Sequence, residues 1–565
     1  MQNQRYKHDF RPVLSLDGTW DFAFLGNVEA NDVELANIFF DDYMTVPGCF
    51  DAAPKYTGQR GLVAYRTTAM LSQAGHHRLV FEAVNHWCQV FVNGQLAREK
   101  SGGFTCFSVD FCEQPGTIEI IVLVDNRLDN GCSALHLAYY DWYHYGGICR
   151  SVALHYLGDQ WIESVQISTH KLAPPTVRVR VTYGNNKQPS ENKLKVKLKD
   201  QILLDEQVIL EAGQGVIERM IPLEHAALWS PGAPNLHTLK IQLGQDALQT
   251  RFGIRQVQID GGQIKINGEA VRLLGFNRHE SHPQFGHALP QSLILNDVQQ
   301  LLDLGCNFVR GSHYPQDPRF LDLCDQAGIC VWVEATGWQQ TAEHLTDSTY
   351  MTAQLQNVDE MVSAAFNHPS VIMWGALNEG RSDDPLCVAG YTAILNRIRH
   401  LDASRPVTYA SNHILTGDLC LHLADLISIN AYPGWYQGEM EDIPHILDNL
   451  FAQAEAMGAA DKPIIVSEIG AGAVPGWRDR HETRWTEQYQ AQLLEIVIRH
   501  LFDTRHRAAG LAIWQFCDIR SSESIGRILG RPRGFNNKGI VDEYRRPKSG
   551  YEIVKKWYHE LRSYV

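Results

Sequence analysis

Hydrophobic and polar positions divide the 565-residue chain into two textures. From residue 10 to about 157 the apolar residues fall in short runs, at 19–24, 78–82, 89–92, 118–124 and 151–156, separated by turn residues and with little helical periodicity. That pattern predicts an antiparallel sandwich or jelly roll. From Trp161 to Gln258 it repeats on a smaller scale, with alternating runs at 176–183, 193–199, 207–210 and 238–243, as in an immunoglobulin-like sandwich. Beyond Ile264 strand-like runs begin to alternate with helical ones. Strands are expected at 271–277, 307–311, 329–335, 370–379, 406–411, 426–432, 463–469 and 510–518, and helices at 293–304, 352–367, 388–401 and 483–504. Eight strands in about 300 residues is the count and size of a (β/α)8 TIM barrel.

Two of these strands end in the same unusual way. Residues 370–377 are almost unbroken apolar, as expected for a strand covered on both faces, and stop abruptly on Asn378 and Glu379. Pro463-Ile-Ile-Val-Ser is likewise followed by Glu468. Taken singly, a strand-end Glu is as readily a solvent-facing or Arg-paired group. Two of them ending the fourth and seventh strands face one barrel mouth, which is the arrangement glycosidic bond cleavage needs.

Charge and composition narrow the partners. Acidic residues outnumber basic ones by 64 to 50, a net charge of −14, which argues against nucleic acid and against anionic membranes. An anionic substrate would need a local cation. The first residues, Met1 to Asp9, carry no apolar signal core, and no run of about 18 apolar residues occurs, so a soluble, cytoplasmic protein is expected. Twelve cysteines without any CxxC pair, several of them (Cys330, Cys517) inside apolar runs, read as free buried thiols.

Three further segments bear on chemistry. Tyr139-Tyr-Asp141-Trp-Tyr-His-Tyr gathers five aromatics around one Asp, which is either a sugar-facing surface or a packed sandwich loop. Asn536-Asn-Lys538-Gly offers a charge and an amide to a carboxylate, and equally reads as a turn. Gly470-Ala-Gly472-Ala-Val-Pro-Gly476 lacks the third glycine of a dinucleotide loop, and His279-Glu-Ser-His282 is one residue short of a zinc-binding HExxH.

Longer motifs carry a resemblance. Leu228-Trp-Ser-Pro-Gly-Ala-Pro, Arg251-Phe-Gly-Ile-Arg255 and Asn267-Gly-Glu-Ala-Val-Arg-Leu-Leu-Gly-Phe-Asn-Arg-His-Glu280 resemble the junction and barrel-entry signatures of glycoside hydrolase family 2, in that family's order. The resemblance spans essentially the whole chain and implies a jelly-roll sugar-binding domain (1–158), an immunoglobulin-like β-sandwich (159–258) and a catalytic barrel (259–565). It further implies retaining hydrolysis of β-glycosides, with Glu379 of the Asn378–Glu379 pair as acid/base and Glu468 as nucleophile. Ile469 follows Glu468 where many members have Tyr-Gly. Within the family the chain is similar to β-glucuronidases, with β-galacturonidase and then β-galactosidase as alternatives. On that likeness Asn536 and Lys538 would hold a uronate carboxylate, and Asp141 would reach a sugar hydroxyl. Tyr432 and Tyr436 would lie on the loop after the sixth strand, Trp514 would be the aromatic of the eighth, and His313 would sit on the pocket floor. Glu334 is followed by Ala-Thr-Gly-Trp and not by the Glu-x-His of magnesium-dependent members, so neither a metal nor another cofactor is expected. The 337–350 loop is short beside those that fold a flap over small aglycones. The expected partners are a small-molecule or oligosaccharide β-uronide and further copies of the chain in a homo-oligomer, with no nucleic acid and no membrane.

Overall fold

The computed structural model describes residues 6–8, 10–128, 135, 137, 139–502, 508–522 and 528–562. Two sheets form the first sandwich. One has the strand order Asp42–Val46, Gly18–Gly26, Leu62–Leu71, Gly116–Asp125, Trp87–Val92 and Gln95–Ser101; the other runs Val13–Ser15, Val152–Tyr156, Gly75–Phe81 and Phe107–Glu113. Their inward residues, among them Trp20, Phe22, Leu79, Phe81, Val90 and Val122, make a closed core. In the second sandwich the three strands Gln160–Leu172, Pro175–Asn185 and Gly213–Pro222 face a five-stranded sheet. That sheet includes Tyr6–His8, which pairs antiparallel with residues 248–250. Residues 6–8 therefore belong to the second sandwich although they precede the strands of the first.

The third unit is a closed parallel barrel. Its strands are β1 (Leu273–Arg278), β2 (Phe308–Gly311), β3 (Cys330–Glu334), β4 (Val371–Asn378), β5 (Val407–Ser411), β6 (Ile427–Asn430), β7 (Ile464–Glu468) and β8 (Ala508–Ile513). Every residue of β4 is buried, because one face packs into the barrel and the other under helices. Helices Gln291–Asp303, Pro318–Ala327, Ser348–Ala365, Val388–Leu401, Ile443–Ala454, Glu487–Phe502 and Gly550–Arg562 surround it. Local signals set their ends. Asp317 caps Pro318–Ala327 by accepting the Arg319 N–H at 2.8 Å, and Gly328 closes it in the left-handed region at φ 71°. Positions 503 and 504 of the expected 483–504 helix lie outside the described residues.

The eighth strand is shorter than the 510–518 expected. After Ile513 the backbone leaves the ladder: the Gln515 N–H bonds the Lys538 carbonyl, and the Asp518 N–H bonds that of Val541. The chain thus turns across the barrel mouth. At the opposite, N-terminal end, Trp229 packs with Leu273, Phe308, Trp332, Ile465 and Ala512 and plugs the barrel. This explains the junction motifs. Arg255 donates to the carbonyls of Pro369 (2.8 Å) and Val371 (2.6 Å), and Arg251 pairs with Asp322 at 2.8 Å, so both arginines tie the second sandwich to the barrel floor.

The first sandwich joins the barrel at its mouth. Arg150 donates to Glu280 at 2.9 Å and to the Pro315 carbonyl at 3.0 Å, while Phe104 stacks on Tyr314 with centroids 3.8 Å apart. Tyr140, Trp142, Tyr143 and Tyr145 are buried in this seam. Most of the aromatic segment is therefore packing, and it leaves Asp141 to face the pocket.

Candidate active site

Barrel side chains at the C-terminal ends of the strands form a polar layer above the apolar plug. Arg310 on β2 is its hub and is fully buried. Its Nη1 donates to Glu468 Oε1 at 2.8 Å and Asn277 Oδ1 at 3.0 Å; Nε and Nη2 grip Glu334 at 2.9 and 3.0 Å, and Nη2 also reaches Asn378 Oδ1 at 2.7 Å. A guanidinium can be buried this way only because its donors meet acceptors in a fixed fork. His313 Nδ1 lies 2.8 Å from Glu334 Oε1, the oxygen that Arg310 Nη2 also reaches. Burial pushes Glu334 up to about 7 against the pull of Arg310, and holds His313 well below its usual value, so His313 is neutral. Trp514 stacks on His313 with centroids 5.2 Å apart and an interplanar angle of 15°.

Glu468, at the tip of β7, is 3% exposed. Tyr432 donates to its Oε2 at 2.6 Å while Arg310 holds Oε1. Burial first, and the charge of Glu379 second, push the Glu468 carboxyl up to about 8; Arg310 and Tyr432 pull it back. Arg310 and Tyr432 both favour an anion at Glu468.

Glu379 follows β4 with φ at +51°, in the left-handed region that a side chain disfavours, so the surrounding structure must hold it there. Asn430 donates to its Oε1 at 3.0 Å and Gln339 to its Oε2 at 3.2 Å. Asn430 also reaches Asn378 Oδ1 at 3.0 Å, which links β4 to β6. The 337–350 loop that carries Gln339 folds into the short helix Ala342–Thr346 before the long one.

A second cluster overhangs the mouth from the segment after β8. Lys538, 4% exposed, donates to the Tyr436 hydroxyl at 2.8 Å and lies 4.8, 5.5 and 5.8 Å from the ring centroids of Tyr436, Tyr432 and Trp435. Among the described residues no carboxylate bonds it. Burial lowers the Lys538 ammonium below its usual value. Tyr436 also lies below its usual range: burial raises it, but the Lys538 and Arg531 charges outweigh that. Both shifts mark a cation short of an anion. Asn536 donates to Asp141 Oδ2 at 3.2 Å, so the first sandwich does reach this cluster.

All ten residues singled out from the sequence thus fall in or around one mouth: Asp141, His313, Asn378, Glu379, Tyr432, Tyr436, Glu468, Trp514, Asn536 and Lys538. Arg310, Asn430, Gln339 and Arg531 were not singled out. Arg531 donates to both oxygens of Asp141, at 2.8 and 2.7 Å, and occupies the face that the sequence reading left open for a sugar hydroxyl. Ile469 is fully buried, and its carbonyl accepts the Trp514 N–H at 2.9 Å.

Residues 257–563 match the TIM barrel domain of glycosyl hydrolases family 2, residues 160–255 match glycosyl hydrolases family 2, and residues 59–157 match that family's sugar binding domain. A β-glucuronidase of Mus musculus is 28% identical over 98% of this chain and 91% of its own, and one of Paenibacillus borealis is 28% identical over 85% and 84%. Among solved structures, a β-galacturonidase from Eisenbergiella tayi bound to galacturonate is 33% identical, covers 98% of both chains and superposes with a TM-score of 0.91. A Faecalibacterium prausnitzii β-glucuronidase is 26% identical over 98% of both, with a TM-score of 0.87.

Proposed function

The chain belongs to glycosyl hydrolases family 2 and is a glycoside hydrolase, and on that premise we propose a retaining exo-β-glucuronidase. The observation that carries the uronate assignment is Lys538: a buried ammonium two residues from Asn536, with a tyrosine hydroxyl and three aromatic rings around it and no carboxylate bonded to it among the described residues. A buried charge is expensive unless paired, and a sugar carboxylate would supply the missing partner.

In this reading Glu468 attacks the anomeric carbon while Glu379 gives its proton to the glycosidic oxygen. Arg310 and Tyr432, which both bond the Glu468 carboxylate, favour its anion for the attack. After the aglycone leaves, Glu379 is a base for the water that releases the sugar. The neutral amides of Asn430 and Gln339 orient Glu379 without adding a charge.

Galacturonide is the second reading, favoured by the 33% identity to the Eisenbergiella tayi enzyme against 28% or less for the β-glucuronidases described above. The two sugars differ only at C4 and present the same carboxylate. Turnover of nitrophenyl glucuronide, galacturonide and galactoside decides between them, with the anomer first released followed by NMR. Faster galacturonide turnover would reverse the order of the two readings, galactoside as the best substrate would remove the uronate assignment, and initial release of the α-anomer would remove the retaining mechanism.

A further inference from the structure

Lys538 sits between two residues that are fastened from behind. Asp518, 1% exposed, accepts the Asn537 side-chain amide at 3.0 Å, the Gly539 N–H at 2.9 Å and Lys548 Nζ at 2.7 Å. Lys548, 3% exposed, spends its other two protons on the carbonyls of Asn537 (3.0 Å) and Ala473 (2.8 Å). All three ammonium donors are therefore used within the protein, and none remains for a ligand. The Asn537 carbonyl also accepts the Ala473 N–H at 2.8 Å, and Gln490 donates to the carbonyls of Ala471 and Gly539 at 2.9 and 3.1 Å. Gly539 permits this close approach: a Cβ there would stand 2.2 Å from the Asp518 nitrogen.

We propose that the buried Asp518–Lys548 pair is a positioning device for uronate recognition, fixing the residues on either side of Lys538 and so the height of Lys538 and Asn536 over the barrel mouth. A buried ion pair contributes little net stability compared with apolar groups of the same size, so its geometry is the better account of its presence. Both members act through the 536–539 loop and leave the sugar itself to Lys538 and Asn536. The device gathers three parts of the mouth: the loop after β7 through Ala473, the segment after β8 through Asp518 and Asn537, and the approach to the C-terminal helix through Lys548.

This inference rests on the uronate reading, and the test separates the two. In the full chain, kcat and KM are measured for a nitrophenyl hexuronide and the matching neutral hexoside in Asp518→Asn, Lys548→Met, Asn537→Ala and, as the reference, Lys538→Ala. Asp518→Asn and Lys548→Met are expected to lower kcat/KM for the uronide by about tenfold or more, mainly through KM, and to shrink the uronide-to-hexoside ratio in parallel. Asn537→Ala removes one hydrogen bond and should shift the ratio in the same direction, which keeps the test open if the charge variants fold poorly. Equal losses on both sugars in these three variants, with Lys538→Ala selective for the uronide, would make the pair a fold support and overturn the proposal. An unchanged ratio in Asn537→Ala and Asp518→Asn would overturn it too. Equal losses in Lys538→Ala itself would remove the uronate reading and this proposal with it.

Discussion

Arg310 places Nη1 2.8 Å from Oε1 of Glu468 while the rest of the same guanidinium is committed to Glu334, Asn277 and Asn378. The position of Glu468, the proposed nucleophile, is thereby set by a residue three strands away around the barrel. Arg310→Met would leave Glu334 and Glu468 buried without their cation, so a loss of roughly 3–5 kcal/mol in stability is expected. Arg310→Lys keeps the charge but not the fork, and should fold while losing kcat. Urea denaturation and kcat measured on both variants check this; equal behaviour of the two would show that the charge counts for nothing without the fork.

Glu379→Ala should reduce turnover by about 10²- to 10⁴-fold for a poor leaving group and much less for dinitrophenol, which departs without a proton. Glu468→Ala should be inactive on both. With the Glu468 carboxyl raised to about 8, the attacking carboxylate forms only as pH approaches that region, so kcat/KM should rise with pH up to about 8. A profile flat to pH 9 would contradict this.

The same proton has a consequence for stability. The folded value of Glu468 is raised from 4.5 to about 8, so its contribution is fully present below 4.5 and is lost as pH rises through 8. Glutamine mimics the protonated carboxyl and cannot ionise. Glu468→Gln should melt with the unaltered protein at pH 4.5 and above it at pH 8, by about 4 kcal/mol. Melting curves at the two pH values decide it; a constant offset would place the strain elsewhere.

Much of this site was legible because the barrel strands announce themselves: a strand covered on both faces is continuously apolar, and Glu379 and Glu468 interrupt that pattern at its end. Arg310 carries a comparable signal, since Phe308-Val-Arg-Gly is a short strand with a charge where both faces are covered, and such a charge has to be paired. Arg531 had none. It stands in Gly530-Arg-Pro-Arg-Gly534, which reads as a solvated turn, and its partner Asp141 is 390 positions away. Nor could three residues, Tyr6–His8, show by periodicity that they pair with the second sandwich. Local pattern fixes elements; pairings across hundreds of residues need the fold.

That distant pair changes what substitution at Asp141 should do. Read from the sequence, Asp141→Asn removes one contact to a sugar hydroxyl and leaves thermal stability nearly untouched. In the structure Asp141 accepts two bonds from Arg531, whose residue exposure is 9%, and the Asp side chain is 18% exposed. Burial lowers the Arg531 guanidinium, but Asp141 outweighs that and holds it above its usual value, as expected of a cation that depends on its partner. Asparagine would keep the shape, lose the charge and leave Arg531 facing an amide, so a cost of roughly 1.5–3 kcal/mol in stability should accompany the loss of turnover. Arg531→Met should cost less than the sum of the two effects when combined with it, because both variants remove the same pair. A double-mutant cycle on urea midpoints measures that coupling. Additive losses would mean that Arg531 and Asp141 act independently, and Asp141 would then return to being a hydroxyl acceptor alone.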